Sequence, residues 1–282
     1  MKNTKPILIT GCSTGIGFCC ALALKQKGYR VFATARKEQD VNHLAQLGLE
    51  SLHLDLDNSD SIRRAVETVL QRTDGKLYGL FNNGAYGQPG AVEDLQRDVL
   101  RAQFETNVLG WLELTNLVIP AMRQQGEGRI IQNSSVLGLI ALPYRGAYNS
   151  SKYAIEGLTD TLRLELHGSG IHVSLIEPGP IESAFRKNAF EMYKENISPE
   201  GSAHQRYYEG VEVRLAKKGH AAPFTLPPEA VLKKVIHALE SPRPKIRYYV
   251  TFPTYLFATL KRLLPHRWLD KILLKVGAEE NK

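Results

Sequence analysis

Short runs of β-branched and other apolar residues alternate with longer segments of helical periodicity from the N-terminus to about Glu177. The candidate strands are Ile7 to Thr10, Arg30 to Thr34, Leu49 to Leu54, Leu77 to Asn82, Arg129 to Ser134 and His172 to Glu177. Six strands joined by helices predict an α/β fold, a doubly wound parallel sheet with helices on both faces. Such folds bind ligands beyond the carboxyl ends of the strands, so the residues just after each run are where chemistry belongs. From Glu182 to Thr225 charge, Tyr and Lys dominate and the periodicity weakens, which reads as a mobile substrate-binding insert. Pro227-Pro228-Glu229 then opens another helix, to about Leu239. The predicted organisation is a single catalytic domain over 1–241, with the insert at about 182–225, followed by a C-terminal extension over 242–282.

The extension has its own pattern. Leu256, Phe257, Leu260, Leu263 and Leu264 recur at helical spacing, Pro265 interrupts, and Trp268, Leu269, Ile272, Leu273 and Val276 repeat the stripe. Lys and Arg occupy the other side, so two short amphipathic helices are predicted. Between Pro242 and Val276 eight Lys and Arg stand against one acid, Asp270, which is the whole formal net charge of +7. The remainder of the chain is nearly neutral, and without a recognition motif this excludes a nucleic-acid-binding core. The basic pair has three readings: packing on the main domain or a sister subunit, a lid over a greasy substrate, or peripheral docking of 242–276 on an anionic membrane.

At 282 residues and 43% hydrophobic, the chain can bury a sizeable core, and intrinsic disorder is excluded. Its cysteines, Cys12, Cys19 and Cys20, are crowded into one stretch, a poor disulfide framework that points to a reducing, cytoplasmic setting. The N-terminal apolar run Ile7 to Ile9 is too short for an export signal, and no segment reaches the roughly 18 apolar residues of a spanning helix. The histidines form no ligand-like cluster, so no metal is expected.

Thr10-Gly11-Cys12-Ser13-Thr14-Gly15-Ile16-Gly17 follows the first strand and opens a helix. Glycines at Gly11, Gly15 and Gly17 permit a tight turn, close approach to a pyrophosphate by Ser13 and Ile16, and anion binding at the helix N-terminus. At the end of the second strand an acid would hold a ribose 2′-hydroxyl, but the chain reads Ala33-Thr34-Ala35-Arg36-Lys37. A small residue followed by Arg36 suits a 2′-phosphate, so the expected cofactor is NADP(H), with Lys37 as a helper. Asp55-Leu56 after the third strand would bracket an adenine, although helix capping by Asp57 or Asn58 also accounts for that acidic cluster.

Among twelve tyrosines only Tyr148 has a lysine four residues on, Lys152, which puts both on one helix face. Ser135 lies thirteen residues earlier, just beyond the fifth strand. With the glycine turn, Ser135, Tyr148 and Lys152, the sequence resembles the classical short-chain dehydrogenases/reductases over roughly residues 5 to 185. The resemblance implies a Rossmann-type fold and aligns further elements. Asn82-Asn83-Gly84 looks like the family's Asn-Asn-Ala-Gly element, with the order Gly84-Ala85 swapped. Asn107 matches the helix asparagine that holds a proton-relay water. Pro178-Gly179, followed by Ser183 where the family has threonine, matches the element that orients the nicotinamide.

The resemblance further implies that Tyr148 is the acid in carbonyl reduction and the base in alcohol oxidation. Its phenolate would be stabilised by the Lys152 ammonium and the oxidised cofactor, with Lys152 also holding the nicotinamide ribose. Ser135 would donate to the substrate oxygen, and Asn107 would pass the proton to solvent. Tyr86, Leu137, Leu142, Pro143 and Tyr144 flank these residues and would line a site for a hydrophobic carbonyl compound. Arg36 and the basic tail look most like the 17β-hydroxysteroid and retinol dehydrogenase branch, so the expected substrate is a small lipophilic aldehyde, ketone or alcohol. Family members commonly form homo-oligomers. The alternatives are a non-catalytic NADP-binding redox sensor, a membrane-surface module, or a reductase of 3-ketoacyl groups on an acidic carrier.

Overall fold

A computed structural model describes residues 4–220 and 222–280. Seven strands form one parallel sheet: β1 (Pro6–Ile9), β2 (Arg30–Ala35), β3 (Glu50–His53), β4 (Gly79–Asn82), β5 (Gly128–Asn133), β6 (Ile171–Glu177) and β7 (Arg247–Tyr249). Their order is β3-β2-β1-β4-β5-β6-β7. The chain builds outward from β1 to β3, then returns to lay β4 on the other side of β1, with Ile9 beside Phe81. That reversal opens a crevice at the carboxyl ends of β1 and β4, the topological switch point at which such sheets bind ligands.

Both faces of the sheet's centre are buried, which is why β1, β2 and β4 are largely apolar, whereas the edge strands β3 and β7 are only partly covered and carry polar residues. On one face Ile7, Ile9, Val31 and Ala33 meet Leu24 of α1 (Gly15–Gln26), Leu44 of α2 (Glu38–Gln46), and Val235 and Leu239 of α9 (Glu229–Glu240). On the other, Leu8, Leu80 and Ile130 meet Val66 of α3 (Ser59–Arg72), Trp111 and Leu114 of α5 (Gly110–Gln125), and Ile155 of α6 (Gly146–Glu165). Helix α4 (Arg97–Phe104) runs into α5 through one π-helical turn, Glu105–Leu109.

The sequence pattern yields six strands; the seventh, β7, lies within the stretch read as the extension. Three residues are too few to show a period, and Arg247 gives the run a polar start. Its register pairs Leu175 with Arg247 and Glu177 with Tyr249. The insert, too, is more regular than its sequence suggests: it contains α7 (Phe185–Asn196) and α8 (Gln205–Ala216). Their shared core holds Tyr193, Tyr208, Val211 and Leu215. The tyrosines hide the pattern because each is buried by its ring and polar at its tip, Tyr193 donating to Glu212 (2.8 Å) and Tyr208 to Asp94. Helices α10 (Phe252–Leu263) and α11 (His266–Glu280) follow β7, as the two apolar stripes predict.

Arg247 ties the edge strand to α6 and β6. Its guanidinium binds Glu156, Asp160 (2.5 Å) and Glu177 (2.5 Å), and the Glu177 side chain is wholly buried. Burial, and then repulsion from Glu156, push Glu177 up to about 8 against the pull of Arg247; burial raises Glu156 as well. The folded chain therefore keeps a proton that the unfolded chain releases. Stability contributed by this group is present below the ordinary value of 4.5 and is lost as pH rises through about 8. Glu177→Gln is expected to flatten the fall in melting temperature across that window. An unchanged slope in paired thermal melts would show that another group sets it.

Candidate active site

The site is built on the two loops that flank the switch point. Gly11 and Gly15 in the first turn both have left-handed backbone, φ +68° and +59°. A Cβ on Gly11 would lie 2.5 Å from the Gly84 Cα, and one on Gly15 would lie 2.8 Å from the Ser183 Cβ, so only glycine serves at either position. Gly17 is buried in the first turn of α1. Thr14, the N-cap, makes no side-chain cap, which leaves the first N–H groups of α1 directed at the crevice that Ser13, Thr14 and Ile16 line. Uncapped amides at a helix N-terminus, on a turn stripped of side chains, fit a pyrophosphate.

The second loop is locked to the first. Thr10 Oγ1 accepts from the N–H groups of Asn83 and Gly84, both at 2.8 Å. The Asn83 amide donates to the carbonyls of Thr10 (3.0 Å) and Gly11 (3.1 Å), and its oxygen accepts from Asn133 (2.9 Å). The swapped Gly84-Ala85 order is accommodated without left-handed backbone: Gly84 packs backbone to backbone on Gly11, and Ala85 joins the second core. Strand alternation sends Asn82 the other way, buried and donating to Thr115 (2.9 Å). Asn83, not Asn82, therefore lines the crevice. The period of two through β4 is the signal that separates these neighbours.

At the far edge of the crevice Arg36 is exposed at the end of β2, close enough to Asp57 and Tyr86 for its charge to pull down both groups, which burial raises overall. The Asp55 carboxylate accepts from the Asp57 N–H (3.1 Å), Asn58 caps α3 through Ser61 (2.9 Å), and Leu56 is buried against Gly84 and Gly110. The wall of the main cavity ends before Arg36, Asp55 and Leu56.

Ser135, Tyr148 and Lys152 converge on the other side. Ser135 follows β5, accepts from the Leu137 N–H (3.1 Å), and hydrogen-bonds the Tyr148 hydroxyl. Burial pushes the phenol well above its ordinary value, with Ser135 opposing. Lys152, four residues on, donates to the Asn133 carbonyl (2.7 Å) and lies 4.4 Å from the Trp111 ring centre and 5.6 Å from that of Tyr148. Burial pushes its ammonium down to about 7, with Glu156 pulling the other way. These side chains alone keep Tyr148 a neutral acid; a lowered phenol needs a further positive charge.

Asn107 sits in the π turn, whose extra residue turns it inward. It holds Tyr86 at both ends, donating to its carbonyl (2.8 Å) and accepting from its N–H (3.1 Å), and donates to Ser151 (3.2 Å). Beyond β6, the Pro178 carbonyl accepts from the Val136 N–H (2.8 Å), Gly179 packs on Thr251, and Ser183 faces Gly15.

Ser135, Tyr148, Lys152, Pro178, Gly179 and Ser183 line a cavity of about 920 Å³, whose wall does not include Asn107. Leu137 and Leu142 line it, whereas Pro143 packs under Gly277 and Tyr144 packs edge-on to His204 and beside Tyr207. The opposite wall is the tail: Phe252, Leu256, Phe257 and Val276 line the cavity, while Phe257 and Leu273 pack on Ile140 and Leu142. Of the tail's readings, the apolar stripe against the main domain is the one this packing displays. No helix among the described residues is long and apolar enough to cross a membrane.

The family model for short chain dehydrogenase matches residues 5–194, and the chain belongs to that family and is an oxidoreductase. It is 45% identical to the uncharacterized oxidoreductase YbbO of Escherichia coli (strain K12) over 95% of this chain and 94% of the other. Two further relatives are each 32% identical. The Homo sapiens 17-beta-hydroxysteroid dehydrogenase type 1 is matched over 87% of this chain and 77% of its own, and the NADPH-dependent 3-dehydrocapnine reductase of Ornithobacterium rhinotracheale over 95% of each. Solved structures share the fold. The actinorhodin polyketide ketoreductase with NADPH is 25% identical with a TM-score of 0.72, covering 89% of this chain and 97% of the other. A Burkholderia phymatum short chain dehydrogenase/reductase in complex with NAD is 24% identical with a TM-score of 0.75, covering 92% of each.

Proposed function

We propose that the protein is an NADP(H)-dependent reductase of lipophilic aldehydes or ketones. The observation that carries this reading is the placement of Ser135, Tyr148 and Lys152 between a glycine-turn cradle and an apolar cavity. Gly11, Gly15, Asn83 and Ser183 would hold the dinucleotide, and the reduced nicotinamide supplies a hydride when bound. Ser135 donates to the substrate oxygen as charge develops there, and Tyr148, held neutral by burial, releases its proton to the same oxygen. Lys152, anchored on the Asn133 carbonyl, places a cation beneath the phenol in its protonated form, which burial, lowering it to about 7, makes only part of the population at neutral pH. NADP(H) makes reduction the direction expected in a cell.

Solved neighbours hold NADPH in one case and NAD in another, so the choice of dinucleotide rests on Arg36 and on the missing acid at the end of β2. A charge-assisted contact to a 2′-phosphate contributes about 1.5–3 kcal/mol. Arg36→Asp is expected to lower kcat/KM with NADPH by roughly 10–100-fold and to leave or raise that with NADH, read in parallel steady-state assays. Equal losses with both dinucleotides would make Arg36 a solvated charge and remove the support for NADP(H).

A further inference from the structure

The two tail helices each bury one face on the domain and leave apolar side chains on the other. On α10 Thr254, Phe257 and Ala258 are buried, while Phe252, Tyr255, Leu256 and Leu263 are exposed, Leu263 by 73%. Their spacing, i, i+3, i+4 and i+11, sets them along one side of the helix. On α11 Leu273 and Gly277 are buried, and Arg267, Lys271 and Leu274 stand at i, i+4 and i+7 on the opposite side, beside exposed Trp268 and Lys275. The Lys271 ammonium lies 5.6 Å from the Trp268 ring centre. Phe257 and Leu273 pack on the same pair, Ile140 and Leu142, so the outer sides of both helices turn away from the domain. From Phe252 to Val276 five Lys and Arg stand against one acid, Asp270. Of the two acids that end α11, Glu280 is held by Arg145 and Glu279 is exposed.

The apolar side of α10 runs into the mouth of the cavity. Phe252 and Leu256 both line the cavity and are 56% and 38% exposed, so they form its rim. Phe224, another exposed lining residue, lies 5.1 Å from Phe252 between ring centres. Large apolar side chains left together in water mark an interaction surface. A second copy related by a two-fold axis would set Arg267, Lys271 and Lys275 against their own counterparts, an arrangement that like charges oppose. An anionic lipid surface suits both kinds of side chain: Leu263 and Leu274 reach the acyl chains, Trp268 sits at the headgroup level, and the long Lys and Arg side chains reach the phosphates. We infer that the outer sides of α10 and α11 dock the protein on an anionic phospholipid bilayer, with the rim of the cavity turned toward the lipid. Docking of this kind does not depend on the reaction that the cavity performs.

Trp268 is a built-in reporter, because the chain has two tryptophans and the other, Trp111, is wholly buried. Full-length protein is titrated with phosphatidylcholine vesicles containing 30% phosphatidylglycerol and with phosphatidylcholine alone, followed by tryptophan emission and by co-sedimentation. Wild type is expected to show a blue shift and to bind the anionic vesicles at least about tenfold more tightly than the neutral ones, since each basic residue near such a surface adds to the attraction. Leu263→Asp should weaken binding to the anionic vesicles by about tenfold or more with an unchanged thermal melt, because its side chain touches water and not the core. Lys271→Glu combined with Lys275→Glu should remove the preference for anionic lipid. Leu164→Asp, at an exposed leucine on α6, should bind as wild type does. Absence of binding to the anionic vesicles, equal binding to both kinds, or an unaffected Leu263→Asp would overturn the inference. So would an emission shift that follows protein concentration and not lipid, which would make this side of the tail a contact between two copies.

Discussion

Phenylalanine in place of Tyr148 is expected to lower kcat for carbonyl reduction by about 10²–10⁴-fold, the range a positioned proton donor contributes. The ring itself is kept: it packs edge-on to Phe185 at 5.2 Å, and the variant loses only the hydroxyl that hydrogen-bonds Ser135. NADPH binding, followed by fluorescence titration, should be nearly unchanged, so the loss falls on the chemical step. No other phenol can substitute from nearby, since Tyr144 is turned into the cluster of His204, Tyr207 and Tyr208. A variant that keeps most of its turnover would mean that the proton comes from solvent and that Tyr148 is a packing residue.

The second large effect is on the fold, and through it on the site. Arg247→Met removes the one guanidinium that serves Glu156, Asp160 and Glu177 together. Breaking a buried ion pair from one side costs about 3–5 kcal/mol, because it leaves charge behind without a partner. Here the lower end applies, since Glu177, already raised to about 8, can keep its proton and so reduce the charge left behind. For a domain approaching this size, that is a fall in melting temperature of roughly 6–12 °C. Glu177 ends β6 and is followed by Pro178 and Gly179, whose backbone meets Val136 and Thr251 at the cavity wall. Loosening the strand end should therefore weaken NADPH binding as well. A melting temperature within about 1 °C of wild type would show that the cluster is neutral to stability.

The central sheet was legible because its strands are buried on both faces and so stand out as apolar runs between helices; β7 was not, because three residues starting with an arginine carry no period. The trio proposed for catalysis was legible for a similar reason. Tyr148 and Lys152 lie on one helix at fixed spacing, and Ser135 follows a strand, so local geometry already brings them to one edge of the sheet. Asn83 was passed over for its neighbour Asn82, although alternation along β4 separates the two. Nothing local could reveal that α10 and α11 wall the cavity. An amphipathic stripe says that a helix has a covered face, and only the packing of Phe257 and Leu273 on Ile140 and Leu142 says what covers it. That Arg145, Arg186 and Arg214 all line the cavity was hidden in the same way, since they come from the cap of α6, from α7 and from α8, which meet only in the folded chain.

The most direct measurement is consumption of NADPH by the purified protein against medium- and long-chain aldehydes, ω-oxo acids, retinal and ketosteroids, with product alcohol quantified beside it. The account predicts that NADPH is oxidised in one-to-one step with alcohol formed from at least one lipophilic carbonyl compound, faster than with NADH. Binding of NADPH without turnover across that panel would contradict it, leaving a nucleotide-binding protein on the same fold.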